Sequence, residues 1–273
     1  MRTRCLLRAA LLPSLFAVLT LPASMARAGV VMKFEHREAG AEKPTPGSVW
    51  IDGDRLRTET DGQVVIFRAD KGTLWTWATG KKEYMELTRE QAQQMGGVMA
   101  EMQKQLASLP PEQRAMAEQM MAARMGAMAS RMDTNTKAPE PMVVTPLGKA
   151  ETIHGWVCAA SEVRRGGKVE GEYWLTPWEQ FHLSAADLAV VGKLADFLRE
   201  ATGGMTGAIQ DPFAQRYGAD GLQGIPVRVI SPGAKGGSST QEIVELKVAD
   251  NAASLFELPP GMTKQSMGIP GQH

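Results

Sequence analysis

Regularly spaced turn signals between residues 45 and 90 constrain this fold most strongly. Short runs with strand-like alternation are separated by polar-Gly pairs that end at Gly53, Gly62, Gly72 and Gly80. Glycine readily adopts the positive φ that tight hairpin turns require. Strands joined by such turns lie antiparallel to their neighbours in sequence. The spacing therefore predicts an up-and-down antiparallel sheet in this part of the chain.

Two groups of strands are predicted, one before and one after a central helical stretch. The first group covers residues 30–38, 48–52, 55–60, 63–69, 73–78 and 81–87. The second covers residues 142–149, 151–163, 168–175, 225–230 and 240–248. Capping-box patterns at Thr176 and Ser184 predict helix starts, with a helix over 185–201 and a short one over 211–217.

A methionine-rich helical hairpin is predicted over residues 88–132. Thr88 and Gln91 have capping-box spacing, and Pro110-Pro111 divides the segment into two arms. The stretch contains nine of the 17 methionines of the chain. Met95, Met99 and Met102 share one helical face through i, i+4, i+7 spacing, and Met121, Met125 and Met128 repeat that spacing.

The N-terminus has the pattern of a secretory signal peptide. Three arginines precede an apolar run over residues 9–21, and Ala26-Arg27-Ala28 provides a small-x-small cleavage site. We therefore expect residues 1–28 to be removed after Ala28 and the remainder to be exported to the periplasm. The run is too short and too interrupted for a good membrane anchor, and no later stretch has a spanning length.

Composition argues against nucleic acid as a partner. Residues 1–28 hold four arginines and no acidic residue, so the remaining chain has more Asp and Glu than Lys and Arg. Nucleic-acid binding normally needs a basic surface. Cys158 is the one cysteine after residue 28, so we expect a fold held by its core rather than by a disulfide. A buried, small hydrophobic role suits Cys158 because its neighbours are apolar.

No motif indicates an enzyme. The sequence lacks a nucleophile elbow, a phosphate-binding loop, H-E-x-x-H and C-x-x-C, and its four histidines are scattered. We expect a non-enzymatic protein with no cofactor. The methionine stripes leave two alternatives open, because thioethers bind Cu(I) and also provide adaptable apolar surface. The first alternative is periplasmic copper handling, and the second is a module that grips a partner protein.

The tryptophans suggest a different site. Trp50, Trp75 and Trp77 lie on predicted strands, and the last two share one strand face. If that face meets the helices, an apolar cleft forms between them, able to hold an acyl chain or an apolar peptide. The predicted ligand-binding residues are therefore Trp50, Trp75, Trp77, Met95, Met99, Met102, Met121, Met125 and Met128.

The order of these signals resembles a known group. The strand with Asp52-Gly53-Asp54-Arg55, the meander that follows, and the ending Phe256-Glu-Leu-Pro-Pro-Gly-Met262 are similar to uncharacterised bacterial periplasmic domains. Those domains are in turn similar to outer-membrane lipoprotein carriers.

The resemblance implies an α+β fold, a curved and incomplete antiparallel β-barrel packed around helices. The methionine-rich hairpin, which is longer than the helical plug of such carriers, is expected as an insertion in this fold. It also implies a lipid or lipoprotein ligand and no catalytic residues. One domain is expected over residues 29–262, followed by a disordered tail over 263–273.

Overall fold

The computed structural model describes residues 29–110, 113–114, 116, 142–202, 222, 224–233 and 236–265. The strands described are β1 Gly29–Arg37, β2 Thr45–Asp52, β3 Arg55–Thr60, β4 Gln63–Arg68, β5 Thr73–Ala78, β6 Glu83–Thr88, β7 Met142–Ile153, β8 Trp156–Arg165, β9 Lys168–Thr176, β10 Ile225–Pro232, β11 Ser238–Ala249 and β12 Thr263–Lys264. The α-helices described are α1 Arg89–Ser108 and α2 Ala189–Ala201. Three 3-10 helices cover Trp178–Phe181, Ala185–Leu188 and Ala253–Phe256.

All twelve described strands belong to one curved sheet. Their order is β12-β6-β5-β4-β3-β2-β1-β11-β10-β9-β8-β7. Neighbours pair antiparallel, apart from the two-residue β12, which lies parallel to β6. The strands β12 and β7 form the two edges, so the sheet does not close on itself. The structure thus confirms a large, open, mostly antiparallel sheet.

The predicted meander is present from β2 to β6. Each of its turns places a glycine at positive φ, as at Gly53 with φ of 57° and Gly80 with φ of 80°. Each strand consequently pairs with the next one along the chain. This part of the fold follows from local turn chemistry.

The prediction of strands over 142–149 and 151–163 is wrong at one turn. The strand β7 continues to Ile153, and β8 starts at Trp156. His154 and Gly155 between them have φ of 49° and 87°. Two consecutive positive φ values are typical of a tight hairpin turn, for which Asn-Gly and Asp-Gly are stronger sequence signals than His-Gly. The turn was therefore not evident from the sequence.

Helix α1 begins as predicted. The amide of Gln91 donates to Thr88 Oγ1 at 3.3 Å, and the amide of Thr88 donates to Gln91 Oε1 at 3.0 Å. The helix ends at Ser108, before Pro110. Arg114 donates from Nε to the carbonyl of Leu106 at 3.2 Å, satisfying a carbonyl of the last turn.

The second arm of the predicted hairpin is described only at its start. Residues 113, 114 and 116 are helical. The other positions of that arm lie outside the described residues. The predicted short helix over 211–217 and the predicted signal peptide over 1–28 also lie outside the described residues.

The predicted capping boxes before α2 have opposite outcomes. The Thr176 box is wrong, because the 3-10 helix that follows has no side-chain cap and Thr176 Oγ1 has no hydrogen-bond partner among the described residues. The Ser184 box is present, with the amide of Ser184 donating to Asp187 Oδ2 at 2.8 Å. It opens the 3-10 turn that leads directly into α2.

The two helices pack on one side of β3 to β6, which we call the helix face. This face presents Leu56, Phe67, Leu74 and Leu87, which are aligned by the strand register. Phe67 contacts Phe197 of α2 with ring centroids 5.3 Å apart. These side chains belong to the main hydrophobic core, which also includes Ala92 of α1. No helix in the described part of the chain is long and apolar enough to span a membrane.

The C-terminal segment, residues 253–265, covers the opposite face of β3 to β6. Phe256 is fully buried there against Val64, Ile66, Trp75 and Trp77. Arginines fix the backbone of the segment, with Arg57 Nη1 donating to the carbonyl of Leu255 at 2.9 Å.

Buried Arg68 binds the same segment. Arg68 Nη1 donates to the carbonyl of Phe256 at 3.4 Å and forms an ion pair with Glu257. The side chain of Arg68 also donates to Asp70 at 2.7 and 2.8 Å. A guanidinium with so little access to water needs such partners, because an unpaired buried charge is costly.

The predicted disordered tail over 263–273 needs correction at its start. The amide of Thr263 donates to the carbonyl of Lys82 at 2.7 Å, and that of Gln265 donates to the carbonyl of Tyr84 at 2.8 Å. Lys264 also forms an ion pair with Glu86. Residues 263–265 are therefore tied to β6, whereas 266–273 lie outside the described residues.

Replacing Phe256 with alanine should destabilise the protein strongly. The ring is fully buried, so its loss removes apolar contacts and leaves a cavity. We expect Phe256→Ala to lower the free energy of unfolding by about 3–5 kcal/mol in urea denaturation. Ser254→Ala is the matched control, because Ser254 is an exposed residue of the same 3-10 helix. Equal stability of the two variants would contradict a structural role for the segment.

Acid should weaken the attachment of the C-terminal segment. Hydrogen bonds from Lys264 and then Trp75 hold the pKa of Glu86 below its usual 4.5. The folded state therefore binds fewer protons than the unfolded state around this pH. The stability that Glu86 contributes is complete above about pH 4.5 and is lost as the pH falls through its lower folded pKa.

The test compares urea denaturation of Glu86→Gln and the wild type from neutral pH down to about pH 3. The stability difference between them should shrink as the pH falls. Glu42→Gln, at an exposed position in the β1–β2 loop, is the matched control. A constant difference for Glu86→Gln would contradict this account.

Candidate functional site

A pocket of about 370 Å³ lies between α2 and the sheet. Helix α2 contributes Val191 and Leu194 to its wall. The remaining lining comes from six strands that are neighbours in the sheet, in the order β3-β2-β1-β11-β10-β9. The pocket is therefore bounded by a helix on one side and by a curved group of strands on the other.

One end of the pocket is apolar and buried. Ile51, Leu56 and Ile243 line it with exposed fractions of 2%, 3% and 5%. Met32 and Val49 are cross-strand partners in the same lining, on adjacent strands β1 and β2. Alternation along each strand places these side chains on the face that meets α2. This end offers mainly hydrocarbon, with one thioether and the hydroxyl of Thr58, which lies opposite Val49.

Phe34 extends the apolar wall because its partner is a glycine. Phe34 on β1 lies opposite Gly47 on β2, and the phenyl ring occupies the space where a side chain at position 47 would start. Any larger residue at position 47 would displace the ring. Gly47 thus fixes how Phe34 lies in the lining.

The other end of the pocket is polar. His36 pairs with Gln241 across β1 and β11, and Ser231 pairs with Ser239 across β10 and β11. Gln241 is exposed, and the side chain of His36 is 36% exposed. His36 Nε2 lies 2.9 Å from Glu38 Oε1. This end therefore meets water and carries hydrogen-bonding groups.

A larger pocket of about 750 Å³ lies at the β7 edge of the sheet. It opens where the β7–β8 register shifts between Pro146 and Ala150. Small residues and strand backbone make up much of its lining, including Gly148, Ala159 and Ala160. The 370 Å³ pocket has more large apolar side chains, which are typical of ligand sites.

The structure separates the predicted tryptophans from the helices. Trp75 and Trp77 are buried, but they lie on the opposite face under Phe256. Trp50 is half-buried in the same cluster, near the guanidinium of Arg57 at 5.8 Å. The prediction that these rings face the helices across a ligand cleft is therefore wrong. Strand alternation showed that Trp75 and Trp77 share a face, but not which element covers that face.

The predicted methionines are only partly described. Met95 and Met99 on α1 are half-buried, and Met102 is 39% exposed. None of the three lines either of the two pockets described above. Met121, Met125 and Met128 lie outside the described residues. Copper binding and partner binding by the hairpin therefore stay predictions.

The residues that line the pocket were not predicted from the sequence. Met32, Phe34 and His36 alternate along β1, and Gln241 and Ile243 flank Glu242 on β11. Such alternation indicates one inward face, but only the pairing of β1 with β11 brings the two runs together. Strands β1 and β11 are far apart in the sequence, so no local sequence pattern indicates that they pair.

A charged network outside the pocket holds the β7–β8 turn in place. His154 Nε2 lies 2.6 Å from Glu242 Oε1 on β11, and Arg228 Nη1 donates to Glu151 at 3.2 Å. Burial acts to raise the pKa of Glu242, but hydrogen bonds from Arg228 and His154 outweigh it and hold that pKa below its usual value. The network joins strands β7, β10 and β11 and therefore serves to fix the sheet.

Cys158 lies in the core near this network. Burial raises the pKa of its thiol, so the reactive thiolate is disfavoured at neutral pH. Among the described residues, no group of three or more His, Cys, Asp or Glu side chains is placed to hold a metal ion.

Comparison with known proteins places the chain in a family. A search of curated proteins finds no match. Among solved structures, PNGF-II is similar with a TM-score of 0.35 and 10% identity, over 87% of this chain and 30% of that one. MucB in complex with MucA(peri) is similar with a TM-score of 0.33 and 9% identity, over 89% of this chain and 58% of that one.

The complex of MucA and MucB from Pseudomonas aeruginosa gives a similar result, with a TM-score of 0.33, 9% identity, and coverage of 89% of this chain and 59% of that one. The chain thus spans less than two thirds of each of these proteins, and likenesses this weak carry no argument about activity. The family model described as a domain of unknown function, DUF4412, matches residues 75–262. That match covers more than half of the sequence, and the chain belongs to the DUF4412 family.

Proposed function

We propose that this protein is a non-enzymatic binding protein for an apolar ligand, a lipid or a lipoprotein acyl chain. The ligand lies between α2 and the curved sheet, in the 370 Å³ pocket. The single observation that carries the proposal is the character of the lining: no Asp, Glu, Lys or Arg occurs among its described residues, and large apolar side chains predominate.

Burial in this pocket is favourable for a hydrocarbon chain. Removing apolar surface from water contributes about 25 cal/mol per Å². Side chains such as Leu56, Ile243 and Val191 are hydrocarbon, so a hydrocarbon ligand that contacts them leaves no hydrogen-bonding group unpaired. A charged or strongly polar ligand would lose water at the buried end without compensation.

Export and family resemblance support the same proposal. The N-terminal pattern of residues 1–28 is that of a signal peptide, which would direct the protein to the periplasm. The sequence also resembles periplasmic domains that are similar to outer-membrane lipoprotein carriers. In such carriers a curved, incomplete barrel shields lipid under helices. The position of the pocket under α2 is consistent with that arrangement.

Filling the pocket should abolish binding. Val191 lies on the wall that α2 forms, so an indole at this position would occupy the space of the ligand. We expect Val191→Trp to lower the affinity for the fluorescent apolar probe N-phenyl-1-naphthylamine at least about tenfold, measured by titration.

Asp196→Trp is the matched control, because Asp196 is exposed on the same helix and does not line the pocket. It should bind the probe like the wild type. Chemical denaturation of both variants verifies that they are folded. The proposal would be contradicted if a folded Val191→Trp protein bound the probe as tightly as the wild type, or if the wild type did not bind the probe.

A further inference from the structure

The pocket is polarised along its length. From Met32 to His36 on β1, four residues apart, the lining changes from thioether to imidazole, a distance of about 13 Å at roughly 3.3 Å per residue. On β11 the same change runs from Ile243 to Ser239. The antiparallel pairing of Phe34 with Ile243 and His36 with Gln241 aligns the two gradients.

The polar end has hydrogen-bonding capacity to offer. Hydroxyl groups of Ser231 and Ser239 and the carboxamide of Gln241 both donate and accept hydrogen bonds. These three side chains make no hydrogen bond to another described residue. They are half-buried or exposed, so water reaches them. A ligand head at this end could replace that water without leaving a buried polar group unpaired.

Charge compensation is lacking at the same end. His36 is already hydrogen-bonded to Glu38, and no described lining residue is Asp, Glu, Lys or Arg. An anionic head would meet the Glu38 carboxylate at the rim. A cationic head would find no carboxylate in the lining, and the Glu38 carboxylate beside it is already bound to His36. Neither sign of charge therefore has an ionic partner in the described lining, whereas a neutral polar head can bind the hydroxyl and carboxamide groups.

We propose that the ligand is an amphiphile whose single acyl chain enters the pocket and whose uncharged, hydrogen-bonding head lies at Ser231, Ser239 and Gln241. This inference rests on the proposed function and specifies its ligand class. The volume of about 370 Å³ is near the lower limit for ligand pockets, which favours one chain over two. A glyceryl ester or an amide head satisfies the chemistry.

The test uses three probes with the same twelve-carbon chain and different heads. Monolaurin carries a neutral glyceryl ester, dodecanoate a carboxylate, and dodecylamine an ammonium group. Each displaces N-phenyl-1-naphthylamine from the full chain without its signal peptide, below the concentration at which it forms micelles. We expect monolaurin to bind about tenfold more tightly than either charged probe.

A variant locates the head. Ser239→Ala combined with Gln241→Leu should lower monolaurin affinity about tenfold and should not lower the affinities for dodecanoate and dodecylamine by as much. Chemical denaturation verifies that this variant is folded. Equal or tighter binding of a charged probe, or an unchanged monolaurin affinity in the variant, overturns the inference but leaves the proposed function standing. Failure of all three probes and of the naphthylamine to bind the wild type overturns both.

Discussion

The contact between Phe67 and Phe197 fixes α2 to the sheet, and the pocket depends on it. The two rings are 5.3 Å apart in a tilted arrangement and both are fully buried. Less than two turns earlier on the same helix, Val191 and Leu194 pack against the edge of this core and also line the pocket. An open sheet cannot enclose a ligand alone, so the helix completes the enclosure. The position of α2 therefore determines whether a cavity exists.

Both faces of an open sheet need cover, and the chain provides it by different means. On the helix face, α1 and α2 bury aliphatic and phenyl side chains. On the opposite face, the C-terminal segment, residues 253–265, buries Trp75 and Trp77 with Phe256, and Arg57 and Arg68 bind the backbone of this segment. The tryptophans thus serve stability, whereas the ligand proposal concerns the helix face. Separation of the two roles explains why residues that are conspicuous in the sequence are absent from the pocket.

The sequence predicted those features that depend on neighbouring residues. Gly53 and Gly80 mark turns because positive φ is a local requirement, and Thr88 with Gln91 forms its capping box within one helical turn. Features that depend on distant pairing were missed. The pairing of β1 with β11 forms the polar and apolar ends of the pocket, and that of β12 with β6 ties down residues predicted to be a tail. The turn at His154-Gly155 was missed because His-Gly is a weaker hairpin signal than Asn-Gly or Asp-Gly.

Native mass spectrometry of the protein exported to a bacterial periplasm tests the central claim most directly. Gentle ionisation should show the wild-type chain with a bound lipid, and Asp196→Trp should retain the same added mass. Folded Val191→Trp should appear without it, because the indole takes the place of the acyl chain. A wild-type spectrum without any lipid adduct, or an adduct that persists in Val191→Trp, would contradict the account of an apolar ligand beneath α2.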